Sequence, residues 1–290
     1  MKNPLVAGYT EIEDRLLVER SVAGESAALD ALVRRHQPFI YNVAWKMTHD
    51  PNDALDLTQE VLIKVITKLA QYRGKSSFRT WLYRIVFNEF LQGKRRGAES
   101  QFTSFEEYGE RLDAVPNPDL TREEEIEQEE LSREMQVRCM SGMLMCLTRE
   151  QRLIYLLGDS FGVNHRLGAE LLDLSPANFR VKLHRARKDL YNYMNNKCGL
   201  VNPENPCRCP KKARALQKMG ALDADNLQFN ISRKHRIAEY VEDNYAAAGE
   251  AFIAKITDLY RNHPTREDFG KDTIVKEIIE NDDLLGFFEI

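Results

Sequence analysis

Between residues 25 and 48 the side chains Leu29, Leu32, Val33, Ile40, Val43, Ala44 and Met47 fall near three- and four-residue spacing, the period of one helix face and not of a strand. Pro38 either bends this helix or marks a junction between two shorter ones. His49-Asp50-Pro51-Asn52-Asp53 supplies a turn, a cap and an early helical proline, so a second helix runs through Leu55, Leu62, Val65, Ile66 and Leu69. Tyr72 to Ser77 is loop-like, and Ser77 can cap a third helix that frays near Gly93. Residues 10–96 therefore predict an all-helical bundle.

The third helix reads FRTWLYRIVFNEFLQGKRR from Phe78 to Arg96, with aromatic rings interleaved with arginine and lysine. Rings stack on unpaired bases and cations neutralise the backbone, so this composition suits single-stranded or melting nucleic acid. The same rings at helical spacing also suit a core face. The formal net charge of -4 hides a sharp segregation of sign. Lys64 to Arg96 carries nine basic residues against one acid, and Arg180 to Lys218 eleven against two. Glu99 to Glu134 carries thirteen acids against three basics, and Glu267 to Ile290 eight against two. Two basic blocks with acidic blocks between and after them fit two DNA-facing surfaces joined by a segment that DNA repels. No stretch approaches the roughly 20 apolar residues that cross a membrane, and the start lacks the apolar run of a signal peptide, so a cytoplasmic protein without membrane insertion is expected.

Residues 97–134, with two prolines and a very acidic end, read as a flexible acidic linker passing into a helix near residue 120 or later. Periodicity resumes in a second helical domain, 135–196. Thr148 and Gln151 form a capping box ahead of Leu153, Ile154, Leu156 and Leu157. Arg166 to Leu172 is then a short helix, Asp173-Leu174-Ser175 a tight turn, and Pro176 the first residue of a helix capped by Ser175. Phe179, Leu183, Ala186 and Leu190 bury one side of that helix, which leaves Asn178, Arg180, Val181, His184, Arg185 and Lys188 for its other faces. This pairing fits a helix-turn-helix whose second helix enters the major groove, although such pairs also occur as plain packing units. Asn178, Arg180 and Arg185 are candidates for base contact, and Arg187 and Lys188 for phosphate. His184 suits either a groove contact or plain packing.

Taken together, the string DALDLTQEVLIKVITKLAQYRGKSSFRTWLYRIVFNEFLQGKRR and the later LSPANFRVKLHRARKDL resemble the extracytoplasmic-function group of bacterial RNA polymerase sigma factors over about residues 25–96 and 138–195. The resemblance implies that Asp53, Asp56, Gln59 and Glu60 dock on the core polymerase, as suits an acidic and amide-bearing face set opposite Val61 and Val65. It assigns Tyr72, Arg73, Lys75 and Ser76 to a loop that holds a flipped base of the promoter element nearer the start site. Arg79, Arg84, Asn88, Lys94, Arg95 and Arg96 then meet the opened strand, with Trp81, Leu82 and Ile85 supporting that surface from the core. The helix-turn-helix, Ser175 to Lys188, reads the more distant element. Implied partners are core RNA polymerase, promoter DNA in duplex and melted form, and a regulatory protein of the anti-sigma kind. One departure stands in the first helix of the pair, where Gly168 replaces a bulky aliphatic residue at a cost in packing and helix propensity.

Five cysteines and no secretion signal argue against a disulfide scaffold. Cys198, Cys207 and Cys209 lie close enough in the chain to hold zinc with His184 or another residue as fourth ligand, although no cofactor is required for the implied function. Residues 197–290 are expected to form this loop and a helical extension. In it Ile237, Val241, Phe252, Ile256 and Leu259, then Ile274, Val275, Ile278 and Ile279 after a cap at Thr265, mark helices that complete the local fold, cover a binding surface or receive a regulator. No Gly-rich phosphate loop or catalytic cluster is present in the pattern, so an enzyme is not expected. The leading expectation is a sigma factor of all-α fold. The alternatives are a helix-turn-helix regulator without a sigma role and a helical signalling-interaction protein.

Overall fold

A computed structural model describes residues 5, 11–93, 99 and 104–224. Among them the chain is helical, with no strand beyond an isolated pairing of Cys198 with Cys207. The expected helices at Ile237 to Leu259 and from Thr265 to Ile279 lie outside the described residues.

Helices α1 (Ile12–Val22), α2 (Ser26–Thr48), α3 (Pro51–Lys68) and α4 (Phe78–Gln92) come first. α2 runs unbroken through Pro38, whose carbonyl accepts from Asn42 Nδ2 at 2.7 Å, and it ends where His49 turns left-handed at φ 55°. Asp50 caps α3, accepting from the backbone N–H of Asn52 and of Asp53 at 2.9 Å each, with Pro51 in the first turn where its missing N–H is harmless. Ile40, Val43, Ala44, Val61, Val86 and Phe87 are wholly buried. Each large apolar side chain so removed from water stabilises the fold by about 1.5–3 kcal/mol. A polar chain crosses this core: Asp14 Oδ1 lies 3.2 Å from His36 Nε2, and His36 Nδ1 lies 3.1 Å from the Tyr83 hydroxyl.

The segment expected as a flexible linker contains two further helices, α5 (Phe105–Ala114) and α6 (Arg122–Glu127). Ser104 caps α5 by accepting from Glu107 N–H at 3.1 Å, and Tyr108 and Leu112 bury its one apolar stripe. The prolines that argued against order fall after this helix, at 116 and 118. α6 starts at a capping box of Thr121 and Glu124, where a helix was expected. α7 (Glu129–Cys146) follows, then α8 (Arg149–Tyr155), which widens into a turn at Leu156–Ser160 where Phe161 N–H reaches back to Leu156 O at 2.8 Å. The helix-turn-helix is α9 (His165–Leu171) and α10 (Pro176–Lys197), and α11 (Cys209–Lys218) closes the described chain.

Among the described residues, those within 1–101 and 156–182 form one compact unit, and those within 102–155 and 183–264 a second. This differs from the expected division at 97 and 135. α9 and the first turns of α10 belong with α1–α4, because α9 packs against α4. In the second unit Leu112, Leu131, Met135, Ala213 and Leu222 form a core against which Cys139, Cys207 and Leu216 pack. Its α5 also lies close on α7: a Cβ on Gly142 would stand 2.5 Å from the Tyr108 ring.

Candidate polymerase and nucleic-acid interfaces

On α3 the apolar side is buried through Ala54, Thr58, Val61, Leu62 and Val65, which turns Asp56 and Glu60 outward and leaves Asp53 and Gln59 half-buried. The four expected docking residues thus share one acidic and amide-bearing face at three- and four-residue helical spacing, a surface complementary to a basic partner.

Beyond α3 the chain turns at Gly74, whose φ of +67° favours glycine. Tyr72 OH donates to Ser76 O at 2.8 Å and so closes the loop on itself. Arg73 and Lys75 are exposed, the Arg73 guanidinium donating to Ala70 O at 3.4 Å. Ser77 caps α4, accepting from Thr80 N–H at 3.2 Å. The rings that made this helix resemble a stacking surface divide sharply: Phe78, Tyr83, Phe87 and Phe90 are buried core. Trp81 is half-buried, its ring centroid 5.5 Å from that of Tyr72 and 5.7 Å from that of Phe78, and Leu82 is buried. Of the polar candidates Asn88 is exposed. Arg79 pairs with Glu11 at 3.2 Å, and Arg84 Nε donates to the Glu170 carbonyl at 2.8 Å, holding the end of α9. Lys94, Arg95 and Arg96 lie outside the described residues.

In the helix-turn-helix, Asn164 caps α9 by accepting from Arg166 and Leu167 N–H at 3.0 Å each. Asp173 takes the left-handed turn at φ 54°, and Ser175 Oγ accepts from Asn178 N–H at 3.1 Å to start α10. Phe179, Leu183, Ala186 and Leu190 are buried, as their spacing predicts. Ser175, Asn178, Arg180, Val181, His184, Arg185, Arg187 and Lys188 are all exposed. Gly168 does not cost the pair its packing: the Phe179 ring fills the space, with two of its carbons 2.6 Å from where a Cβ would stand.

The basic block from Arg180 to Lys218 is only partly a DNA surface. Lys197 pairs with Asp113, Lys211 with Asp119 at 2.8 Å, and the buried Lys212 donates to Leu112 O at 2.8 Å and to Val115 O. Acids of the preceding segment therefore pair two cations of the C-terminal half of the block, Lys197 and Lys211, while Arg180, Arg185, Arg187 and Lys188 of α10 are exposed.

Several structural side chains gave no sequence signal. Arg152 is fully buried and donates through Nε to Leu144 O at 2.9 Å and through its second nitrogen to Met145 O at 3.3 Å, satisfying carbonyls at the end of α7. Lys46 is buried with Nζ 3.1 Å from Ser160 Oγ and 5.4 Å from the Phe161 ring centre, and desolvation pulls its ammonium down to about 7. All five cysteines are free thiols; burial pushes Cys139 up to about 12. Cys198, Cys207 and Cys209 line a cavity with Cys139 of α7. His184, one candidate for their fourth partner, lies exposed on α10 and does not line it. No helix of the described residues is long and apolar enough to cross a membrane.

A capped helix-turn-helix with an outward basic face, together with an acidic docking helix and a loop backed by aromatics, defines a DNA-binding transcription factor of all-α fold. Residues 32–99 match the family described as sigma-70 region 2. The RNA polymerase sigma factor YlaC of Bacillus subtilis (strain 168) is 30% identical over 168 residues, 58% of this chain and 92% of that protein. The ECF RNA polymerase sigma-E factor of Escherichia coli (strain K12) is 30% identical over 192 residues, 63% of this chain and 94% of its own length. Similarity to the ECF RNA polymerase sigma factor SigE of Mycolicibacterium smegmatis (strain ATCC 700084 / mc(2)155), 30% over 174 residues, covers 59% of this chain and 64% of that protein. The chain belongs to the ECF group of RNA polymerase sigma factors, and its role is transcription initiation.

Proposed function

We propose that the chain docks on core RNA polymerase through the Asp53, Asp56, Gln59 and Glu60 face of α3 and brings two DNA-reading surfaces to a promoter. The loop Tyr72 to Ser76, backed by Trp81, receives a base extruded from the melting duplex, and Arg73, Lys75 and Asn88 meet the opened strand. Arg84 joins them once it leaves the Glu170 carbonyl. α10 enters the major groove of the upstream element with Asn178, Arg180 and Arg185 at base edges and Arg187 and Lys188 at phosphates. The chain itself performs no bond chemistry. Promoter opening draws on binding energy shared with the polymerase, in the compartment where that polymerase acts.

The observation that carries this is the division of α10: Phe179, Leu183, Ala186 and Leu190 are buried on one side, and every expected contact residue is exposed on the others. Run-off transcription with purified core polymerase and a promoter library tests it. Specific start sites should appear only when the chain is added, and Asp56→Ala with Gln59→Ala should lower core affinity by about tenfold, as loss of one or two interface contacts of about 1 kcal/mol each implies. Duplex binding without core, unchanged by those substitutions and independent of the Tyr72 to Ser76 loop, would instead describe a plain helix-turn-helix regulator.

A further inference from the structure

The cavity in the second unit is lined by an unusual concentration of sulfur. Cys139 and the flanking Met135 and Met143 come from α7, Met194 from α10, and Cys198, Cys207 and Cys209 from the segment that follows. Four of the five cysteines of the chain thus meet at one place from well-separated positions in sequence.

The segment that presents three of them is built stiffly. Cys198 and Cys207 run side by side as a parallel backbone pair, with Gly199 N–H donating to Cys207 O at 3.2 Å. Asn205 Nδ2 donates to Asn195 O at 2.9 Å, and Arg208 donates to Pro203 O at 2.8 Å. Gly199 admits no side chain, because a Cβ would stand 2.3 Å from Cys207 O. The polar groups of this loop are engaged in fixing the two cysteines next to one another, not in meeting solvent.

Zinc in a structural site takes four ligands in a closed tetrahedron. Among the described residues no three His, Cys, Asp or Glu side chains form such a group. A monovalent d10 ion is satisfied by two or three soft donors, and thiolate and thioether sulfur are the donors that select it. We propose that this cavity binds one Cu(I)-class ion through the thiolates of Cys198 and Cys207, within a lining otherwise rich in sulfur. Binding exchanges two thiol protons for the metal, which the solvent takes up, with no change of oxidation state. Because Cys198 directly follows the last residue of α10, the ion is seated at the foot of the helix proposed to read DNA. The metal site does not depend on that reading.

The full-length chain, reduced and kept anaerobic, is titrated with Cu(I) against a chromogenic Cu(I) chelator and, separately, with Zn(II) against a zinc indicator. One equivalent of Cu(I) should be held, with a thiolate-to-metal absorption band and a rise in melting temperature. Cys198→Ser and Cys207→Ser should each weaken retention at least about tenfold, or about 1.4 kcal/mol, while Cys146→Ser, outside the cavity, should not. Were either serine variant to fail to fold, X-ray absorption on the wild-type Cu(I) form decides through its coordination shell, expected to be sulfur alone. Failure to compete with the chelator, retention indifferent to Cys198 and Cys207, a nitrogen or oxygen shell, or tight zinc binding without Cu(I) binding would each overturn the proposal. Absence of copper binding in the unsubstituted chain, alongside normal promoter-specific transcription, would overturn the metal site and leave the sigma reading standing.

Discussion

Replacing Gly168 by alanine should destabilise the helix-turn-helix even though alanine is the better helix former. Alanine in place of an interior helical glycine is worth about 1 kcal/mol. Against that gain, the new methyl would lie 2.6 Å from two carbons of the Phe179 ring and 3.2 Å from a third, where carbon contacts normally sit at about 3.5–4.0 Å. Phe179 is wholly buried and has no solvent into which to swing. Overpacking of this kind costs about 1–3 kcal/mol, and two simultaneous overlaps on a confined ring place it in the upper half of that range. The net expectation is a loss of about 1–2 kcal/mol. Both tryptophans of the chain, Trp45 and Trp81, lie in the same compact unit as Gly168 and Phe179, so fluorescence during urea unfolding follows the relevant transition without signal from the other unit. The midpoint should fall at unchanged slope. Phe179→Leu in the alanine background should recover much of the loss, giving a coupling of about 1 kcal/mol or more between the two positions. An alanine variant as stable as the parent, or additive effects of the two substitutions, would refute the idea that the ring occupies the missing side chain's place.

Two further substitutions test the buried cations. Lys46 is lowered from 10.5 to about 7 by desolvation, a penalty on the order of 5 kcal/mol for keeping the ammonium charged in the fold. Between these two values the unfolded chain holds a proton that the folded chain has lost, so this residue makes stability rise with pH across that window and stay level below it. Lys46→Met should therefore be more stable than wild type at pH 6, with the difference shrinking toward pH 10 in chemical denaturation followed by tryptophan fluorescence; a difference independent of pH would show that the amine is not held neutral. Arg152→Met should cost about 2–4 kcal/mol, because the carbonyls of Leu144 and Met145 lose a buried donor. Circular dichroism during urea unfolding, with hydrogen exchange at the end of α7, checks this, and unchanged protection there would count against the capping role.

Much of the fold was legible because helix ends carry local chemistry. Asp50 before Pro51, Ser77, the Thr148 and Gln151 pair, and Ser175 before Pro176 each announce a helix start, and in each case the backbone N–H groups meet those side chains. α5 was missed because Tyr108 and Leu112, its buried apolar side chains, stand among acids in a stretch whose average resembles a solvated linker. A similar averaging misjudged the second basic block. Local counting assigns Lys197, Lys211 and Lys212 to DNA, whereas their partners lie 84 to 100 residues earlier in the chain.

Arg84 shows most clearly what a one-dimensional pattern omits. Its place on α4 marks it as a contact for the opened strand, yet its guanidinium holds the Glu170 carbonyl, 86 residues away, at the end of α9. A guanidinium can serve several acceptors, but Nε has a single N–H, and a strand phosphate approaching it must displace that carbonyl. The Glu170 bond and a phosphate contact through Arg84 Nε would therefore be alternatives drawing on one donor. A phosphate, as the charged acceptor, forms the stronger bond, so a strand bound there would break the Glu170 bond while the remaining packing of α9 on α4 stays.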